Sequence, residues 1–157
     1  MNKKNVFAKA VDIAPNSKVS LYPEPFYSMM KLREKRRLGD YFGLSKFGVN
    51  QTIIKPGGIS ALFHAHSHEE EFIYILEGEA VLKTDDGEHV LSKGMCAGFP
   101  AGGNTHQLMN KSDKDVVYLE IGNRDANDSA SYPDDDITAH KNADGNWVFN
   151  HKDGTPY

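Results

Sequence analysis

Apolar and polar residues alternate with a period of two along most of the chain after residue 45, and turn residues interrupt the alternation at short intervals. The first run, "FGVNQTII", places Phe47, Val49, Gln51 and Ile53 on one side and stops at Pro56-Gly57-Gly58, the pattern of a strand ended by a turn. "ISALFHAH" is a second short run, and "EFIYILEGE" is a third, apolar on both sides, with Glu77-Gly78 as its turn. "AVLKT" breaks at Asp85-Asp86-Gly87 and "EHVLSKG" returns, which is a hairpin signature. "MCAGFPAGGN" leads into "HQLMN", and "DVVYLEIGN" closes the series. Strands repeating at about 8–12 residues with turns between them predict an all-β sandwich or closed barrel.

Two of the runs, "FIYILE" and "VVYLEI", have no clearly polar side. One side must line a core and the other must also be covered, either by the first 45 residues with the tail or by a second copy of the chain. A homodimer is the expected assembly. The preceding segment, "LYPEPFYSMMKLREKRRLGDYFGL", is extended at Tyr22-Pro23-Glu24-Pro25 and carries five basic residues in the seven positions from Lys31 to Arg37. A solvated or salt-bridged edge is the simple account of that run, and a patch for an anionic substrate or nucleic acid is the sharper one. After Gly122 the chain turns polar, with "DDD" at 134–136, a turn at Asp144-Gly145, and Trp147 and Phe149 on one side of a short strand. The expected division is an amino-terminal extension over 1–44 packed on the barrel or a partner, a barrel over 45–122, and a polar arm over 123–157.

Composition adjusts this picture only slightly. A length of 157 residues suits one domain that buries about 68–70% of its unfolded surface without a staple. A net charge of -4 gives no electrostatic reason to expect nucleic acid or an anionic membrane as partner. The single cysteine, Cys96, excludes an intrachain disulfide, and a buried inert thiol is its default reading. The opening stretch has the basic pair Lys3-Lys4 but is broken by Lys9 and Asp12, and no apolar run reaches the length of a signal peptide core or a membrane span. The expected location is the cytoplasm, and the expected partner is a small molecule.

Candidate chemistry sits in "HAHSHEEEF". His64 and His66 are two apart, so on a strand they leave the same face about 7 Å apart, close enough to share an ion. Glu71 follows the polar loop "SHEE" at the start of the next strand, and His106 follows "PAGGN" alone on a short strand. Three imidazoles and one carboxylate suit Zn, Fe, Mn, Ni or Cu, whereas Mg and Ca want more oxygens. Such a set leaves one or two coordination positions open for chemistry. His68 shares parity with the pair but falls in the loop, where it reads as a supporting or surface group. Glu69 and Glu70 read as solvated, although a register slip of one would make Glu70 the ligand. His89, His140 and His151 stand alone as structural or exposed groups.

The stretch Gly58 to Gly78 resembles the first motif of the cupin superfamily, with Gly58, His64, His66, Glu71 and Gly78 at its marked places. The stretch Gly94 to Asn110 is similar to the second motif, with Gly94, Pro100, Gly102, His106 and Asn110. It departs by holding three residues instead of two between Gly102 and His106. The resemblance implies a double-stranded β-helix, or jelly-roll, barrel in which His64, His66, Glu71 and His106 hold one divalent transition metal ion (Zn, Fe, Mn or Ni). The flanking segments also look like those of small bacterial single-domain cupins. In cupins such sites serve dioxygenation, decarboxylation and sugar isomerisation. The functional expectation is therefore a metal-dependent enzyme on a small polar molecule, the alternatives being a non-catalytic binding or sensing module and a scaffold stapled by its metal. No motif assigns a catalytic residue. Alternation alone offers Gln51, Phe63, Ile73, Ile75 and Met109 or Leu108 for the cavity wall, and hence an apolar lining.

Overall fold

The period-two runs fold as antiparallel strands and the polar stretches between them as turns, in a computed structural model that describes residues 6–157. The basic pair Lys3-Lys4 lies outside the described residues. In chain order the strands are β1 (Arg33–Arg37), β2 (Phe47–Ile54), β3 (Ala65–His66), β4 (Glu71–Glu77), β5 (Glu79–Thr84) and β6 (Gly87–Ser92). They continue with β7 (Cys96–Phe99), β8 (His106–Met109), β9 (Val116–Asn123), β10 (Ser129–Ser131), β11 (Thr138–Lys141) and β12 (Trp147–Asn150). Two short helices, α1 (Phe26–Met29) and α2 (Leu38–Phe42), flank β1. No described helix is long and apolar enough to cross a membrane.

Three sheets form, ordered β1-β2-β9-β4-β7, β6-β5-β8 and β12-β11-β10-β3. The first two close on each other as the jelly-roll barrel. Their facing side chains, among them Ile54, Ile73, Ile75, Leu82, Leu108, Val116 and Tyr118, make a buried core. A second cluster lies beside it: Phe26 and Met30 from the amino-terminal segment pack on Leu62 and on Ala130, Tyr132, Ile137 and Ala139 from the carboxy-terminal strands. Trp147 and Phe149 lean on this cluster from β12. The terminal segments are thus woven into the fold, one adding the edge strand β1 and the other a sheet that pairs with β3.

Local signals account for the hairpins. Asp85-Asp86-Gly87 turns β5 into β6, with Thr84 opposite Gly87 at φ 123°. Gly78 has φ 81°, and a β-carbon there would sit 2.4 Å from the Asp115 carbonyl oxygen, so only glycine fits this turn. "ISALFHAH" differs from the expected continuous strand: only Ala65–His66 forms a ladder. The segment changes neighbours on the way, bridging His106 through His64 and then pairing with β10. One strand cannot serve both partners without bending.

The parity of the main sheet corrects two expectations. Thr52 and Ile54 are the buried residues of β2, which turns Gln51 to the outer side opposite Leu119. Cys96 is exposed and pairs with Tyr74 on that same outer side. Phe72 and Tyr74 remain 41% and 40% exposed there, because the terminal segments pack at the cavity and not on this face.

Candidate metal centre

His64, His66, Glu71 and His106 meet at one end of the barrel. His64 and His106 are buried and joined by paired backbone hydrogen bonds of 3.1 and 2.8 Å. The additional residue before His106 is absorbed in the loop after Pro100, where the Thr105 N–H donates to Asp85 at 2.8 Å. The His106 ring stacks on Phe99 with centroids 3.6 Å apart. Ring centroids of His64 lie 4.9 Å from His66 and 4.6 Å from His106. His64, His66 and Glu71 offer ligand atoms within 4.8 Å of one another. His106 joins through its Nε2, 3.2 Å from Glu71 Oε2.

The outward nitrogens determine what faces inward. His64 Nδ1–H donates to the Leu62 carbonyl at 2.8 Å, and His66 Nδ1–H donates to Asp128 at 2.7 Å. His106 Nδ1 faces the Asn104 carbonyl at 3.4 Å. The Leu62 carbonyl and the Asp128 carboxylate only accept, so in His64 and His66 the proton sits on Nδ1 and the Nε2 lone pair turns inward. Glu71 Oε2 accepts from His106 Nε2 at 3.2 Å and meets the His64 Nε2 lone pair at 4.0 Å, where lone pair faces lone pair. A cation between them resolves that repulsion, and mixed nitrogen and oxygen donors fit a divalent transition metal.

Electrostatics point the same way. Burial carries the His64 pKa from 6.5 down to about 4, so the ring stays neutral and free to ligate. Burial pushes the Glu71 carboxyl up, but the His106 hydrogen bond and the attraction of the neighbouring imidazoles outweigh it and hold the group below its ordinary value.

Asp128 is the residue that sequence reasoning missed. Its side chain is fully buried, and besides His66 it accepts the backbone N–H groups of His68 and Glu69 at 2.9 and 3.0 Å. Burial raises its carboxyl, and those hydrogen bonds bring it below the ordinary range. A carboxylate behind a ligating imidazole fixes its tautomer and ring orientation. Its distance of 62 positions from His66, and its place in an unpatterned polar stretch, left no local signal. Of the other acidic and histidine candidates, His68 contributes backbone, Glu69 pairs with Lys141, and Glu70 is exposed. His151 pairs with Asp136 at 2.8 Å, and His89 and His140 are exposed.

His64, His66 and Glu71 form one wall of a cavity of about 710 Å³, while His106 borders the small recess behind them. The lining is charged, against the apolar lining expected. Arg33, Lys35 and Arg37 come from the inner side of β1, and Asn50 and Glu120 from β2 and β9. Ile73 and Leu108 instead border a small recess of the barrel core. The basic run thus divides by parity: its inner residues face the cavity, while Arg36 pairs with Glu34 on the outside.

Comparison with known proteins places these features in context. The profile of the cupin domain family matches residues 50–122. The chain is 42% identical to a sugar phosphate isomerase from a cupin superfamily of Silicibacter pomeroyi, covering 88% of each chain at a TM-score of 0.83. It is 30% identical to an Acidithiobacillus ferrooxidans protein provisionally named a sugar phosphate isomerase, covering 80% of each at a TM-score of 0.72. An uncharacterised protein of Acanthamoeba polyphaga mimivirus is 38% identical over 60 residues, so the match spans 37% of that relative's length.

Proposed function

The chain belongs to the cupin superfamily, and on that premise we propose that it is a metal-dependent isomerase of a small phosphorylated sugar. The observation that carries this reading is the convergence of three imidazoles on Glu71 at the wall of a cavity lined also by Arg33, Lys35 and Arg37. His64, His66, Glu71 and His106 would hold one divalent ion (Zn, Fe, Mn or Ni), and such an ion supplies positive charge to an oxygen that gains negative charge as a neighbouring C–H bond breaks. Arg37 and Arg124 at the cavity, both more than two-fifths exposed at their side chains, suit a phosphate group that arrives from solvent. Asp128 and the Leu62 carbonyl keep His66 and His64 turned toward the ion. Two of the related proteins carry the same activity in their names, which supports the choice of isomerisation over oxygenation or decarboxylation.

The proposal includes a second copy of the chain over the exposed face of Phe72 and Tyr74, where Leu119 and Ile121 lie opposite them in register. The test is metal analysis of untagged protein purified without chelator, light scattering of that sample, and NMR of its mixtures with tetrose, pentose and hexose phosphates. One equivalent of metal, a dimer mass and aldose–ketose interconversion are expected. Metal without conversion of any sugar would move the chain to the binding modules, and a monomer mass would remove the second copy.

A further inference from the structure

An isomerase that shifts a hydrogen between neighbouring carbons needs a group that can take the proton and return it. Glu71 is committed to the imidazoles. Tyr118 is 1% exposed, and burial, with the Glu120 charge beside it, pushes its hydroxyl well above its ordinary value, so it keeps its proton. Glu69, paired with Lys141, and Asp40, paired with Arg124, stand in a loop and in α2, off the strand face that carries Glu71. We propose that Glu120 is the proton-transferring residue of the cavity, an inference that rests on the isomerase reading above.

Its placement follows from register. Glu71 lies opposite Gly122, and Ile73 lies opposite Glu120, so Glu71 and Glu120 are diagonal neighbours on one face, about 7–8 Å apart at their α-carbons. Both line the same cavity. Beside them Gly48 and Gly122 pair with each other and leave a strip of sheet without side chains. The Glu70 carbonyl oxygen covers Gly122, 2.7 Å from where a β-carbon would sit, whereas a β-carbon on Gly48 would meet nothing closer than the Arg124 guanidinium at 3.8 Å. A small sugar laid on that strip has the imidazole cluster on one side and Glu120 on the other.

The carboxylate is held and yet has a free oxygen. Lys35 Nζ donates to Glu120 Oε1 at 2.7 Å, and Asn50 donates to the same oxygen at 3.2 Å. Among the described residues Oε2 receives only the Tyr118 hydroxyl, at 3.4 Å. The Lys35–Glu120 pair is mostly shielded, with side chains 20% and 19% exposed. A shielded ion pair is a poor device for stability, since apolar residues of similar size serve as well or better; a chemical role explains why a carboxylate stands there.

The step balances without an oxidant or reductant. The C–H bond beside the substrate carbonyl breaks, its proton passes to Glu120 Oε2, and its electron pair forms the C=C bond of an enediolate. Glu120 then returns the proton to the former carbonyl carbon, while the hydroxyl proton moves to the other oxygen. Lys35 and Asn50 act as positioning residues.

The test uses the metal-loaded protein with the same sugar phosphates in D2O. The wild type is expected to interconvert a pair and to place solvent deuterium on the carbon beside the carbonyl. Glu120→Gln is expected to lose both by about 10²–10⁴-fold, with metal content and thermal protection by the sugar phosphate unchanged. Glu120→Asp should recover part of the rate. Full turnover in Glu120→Gln overturns the assignment and leaves the isomerase intact. Loss of metal or of folding together with the rate overturns it as a merely structural role. No conversion or deuterium uptake by the wild type on any sugar overturns the isomerase reading, and this inference with it.

Discussion

The barrel core and the cluster beneath the two terminal segments are both built from buried aliphatic and aromatic side chains, yet they hold the candidate site from opposite sides. Barrel strands supply Glu71 and His106, and Phe99 from the same core stacks on the His106 ring. The terminal cluster contributes Leu62, whose carbonyl orients His64, and Tyr132, whose ring lies 6.0 Å from that of His64 in a stacked arrangement. The strand pairing of β10 with β3 brings in Asp128 behind His66. At this seam the barrel supplies strands that carry ligands, and the terminal side turns the rings of His64 and His66. Damage to the barrel should therefore appear mainly as lost stability, and damage to the terminal cluster as lost stability and lost ligation together.

The sharpest way to break this contrast is a matched pair of cavities. Ile75 and Ile137 are both fully buried, one in each core. Each change to Ala should remove about 2–5 kcal/mol in urea unfolding. Only Ile137→Ala should also weaken metal binding in a chelator competition, and an equal loss in Ile75→Ala would erase the distinction.

Acid probes the seam itself. With its pKa taken from 6.5 down to about 4 by burial, metal-free His64 binds its proton less readily folded than unfolded. Its contribution is complete above 6.5 and is lost as pH falls toward 4, by about 3 kcal/mol. Urea titrations of metal-free protein at stepped pH should show one cooperative transition moving to lower denaturant. Two separate transitions would mean that the cores come apart independently.

The smallest effect isolates orientation from packing. Asp128→Asn keeps the shape but removes the charge behind His66, and should cost 10- to 100-fold in metal affinity with the urea midpoint of the metal-free protein lowered only slightly. An unchanged affinity would mean that β3 alone orients the ring.

What could be read from the sequence was local. The β5–β6 hairpin carries its own Asp-Gly turn, and His64, His66 and Glu71 lie within eight positions across one short loop, although β3 and β4 belong to different sheets. Asp128 needed the pairing of β10 with β3, which no nearby residue announces. The cavity wall failed for a different reason. In β2 the polar Asn50 and Thr52 face inward beside buried Ile54, while Val49 and Ile53 face out with Gln51, so apolar alternation pointed to the wrong side. The strand β1 has no apolar alternation at all, because every residue of "REKRR" is charged, and its parity shows only once it pairs with β2.

Strand β4 has two duties written on adjacent letters. Glu71 points to the cavity, and Phe72, the next residue, points to the exposed face. A period of two allows no independent editing of the two sides. Deleting one residue early in this strand would present a phenyl ring to the imidazoles and a carboxylate to the outer surface. Substitutions can accumulate along β4 one at a time, but insertions and deletions ahead of its irregularity at Ile75–Glu77 cannot, so both faces together fix the length of its first half.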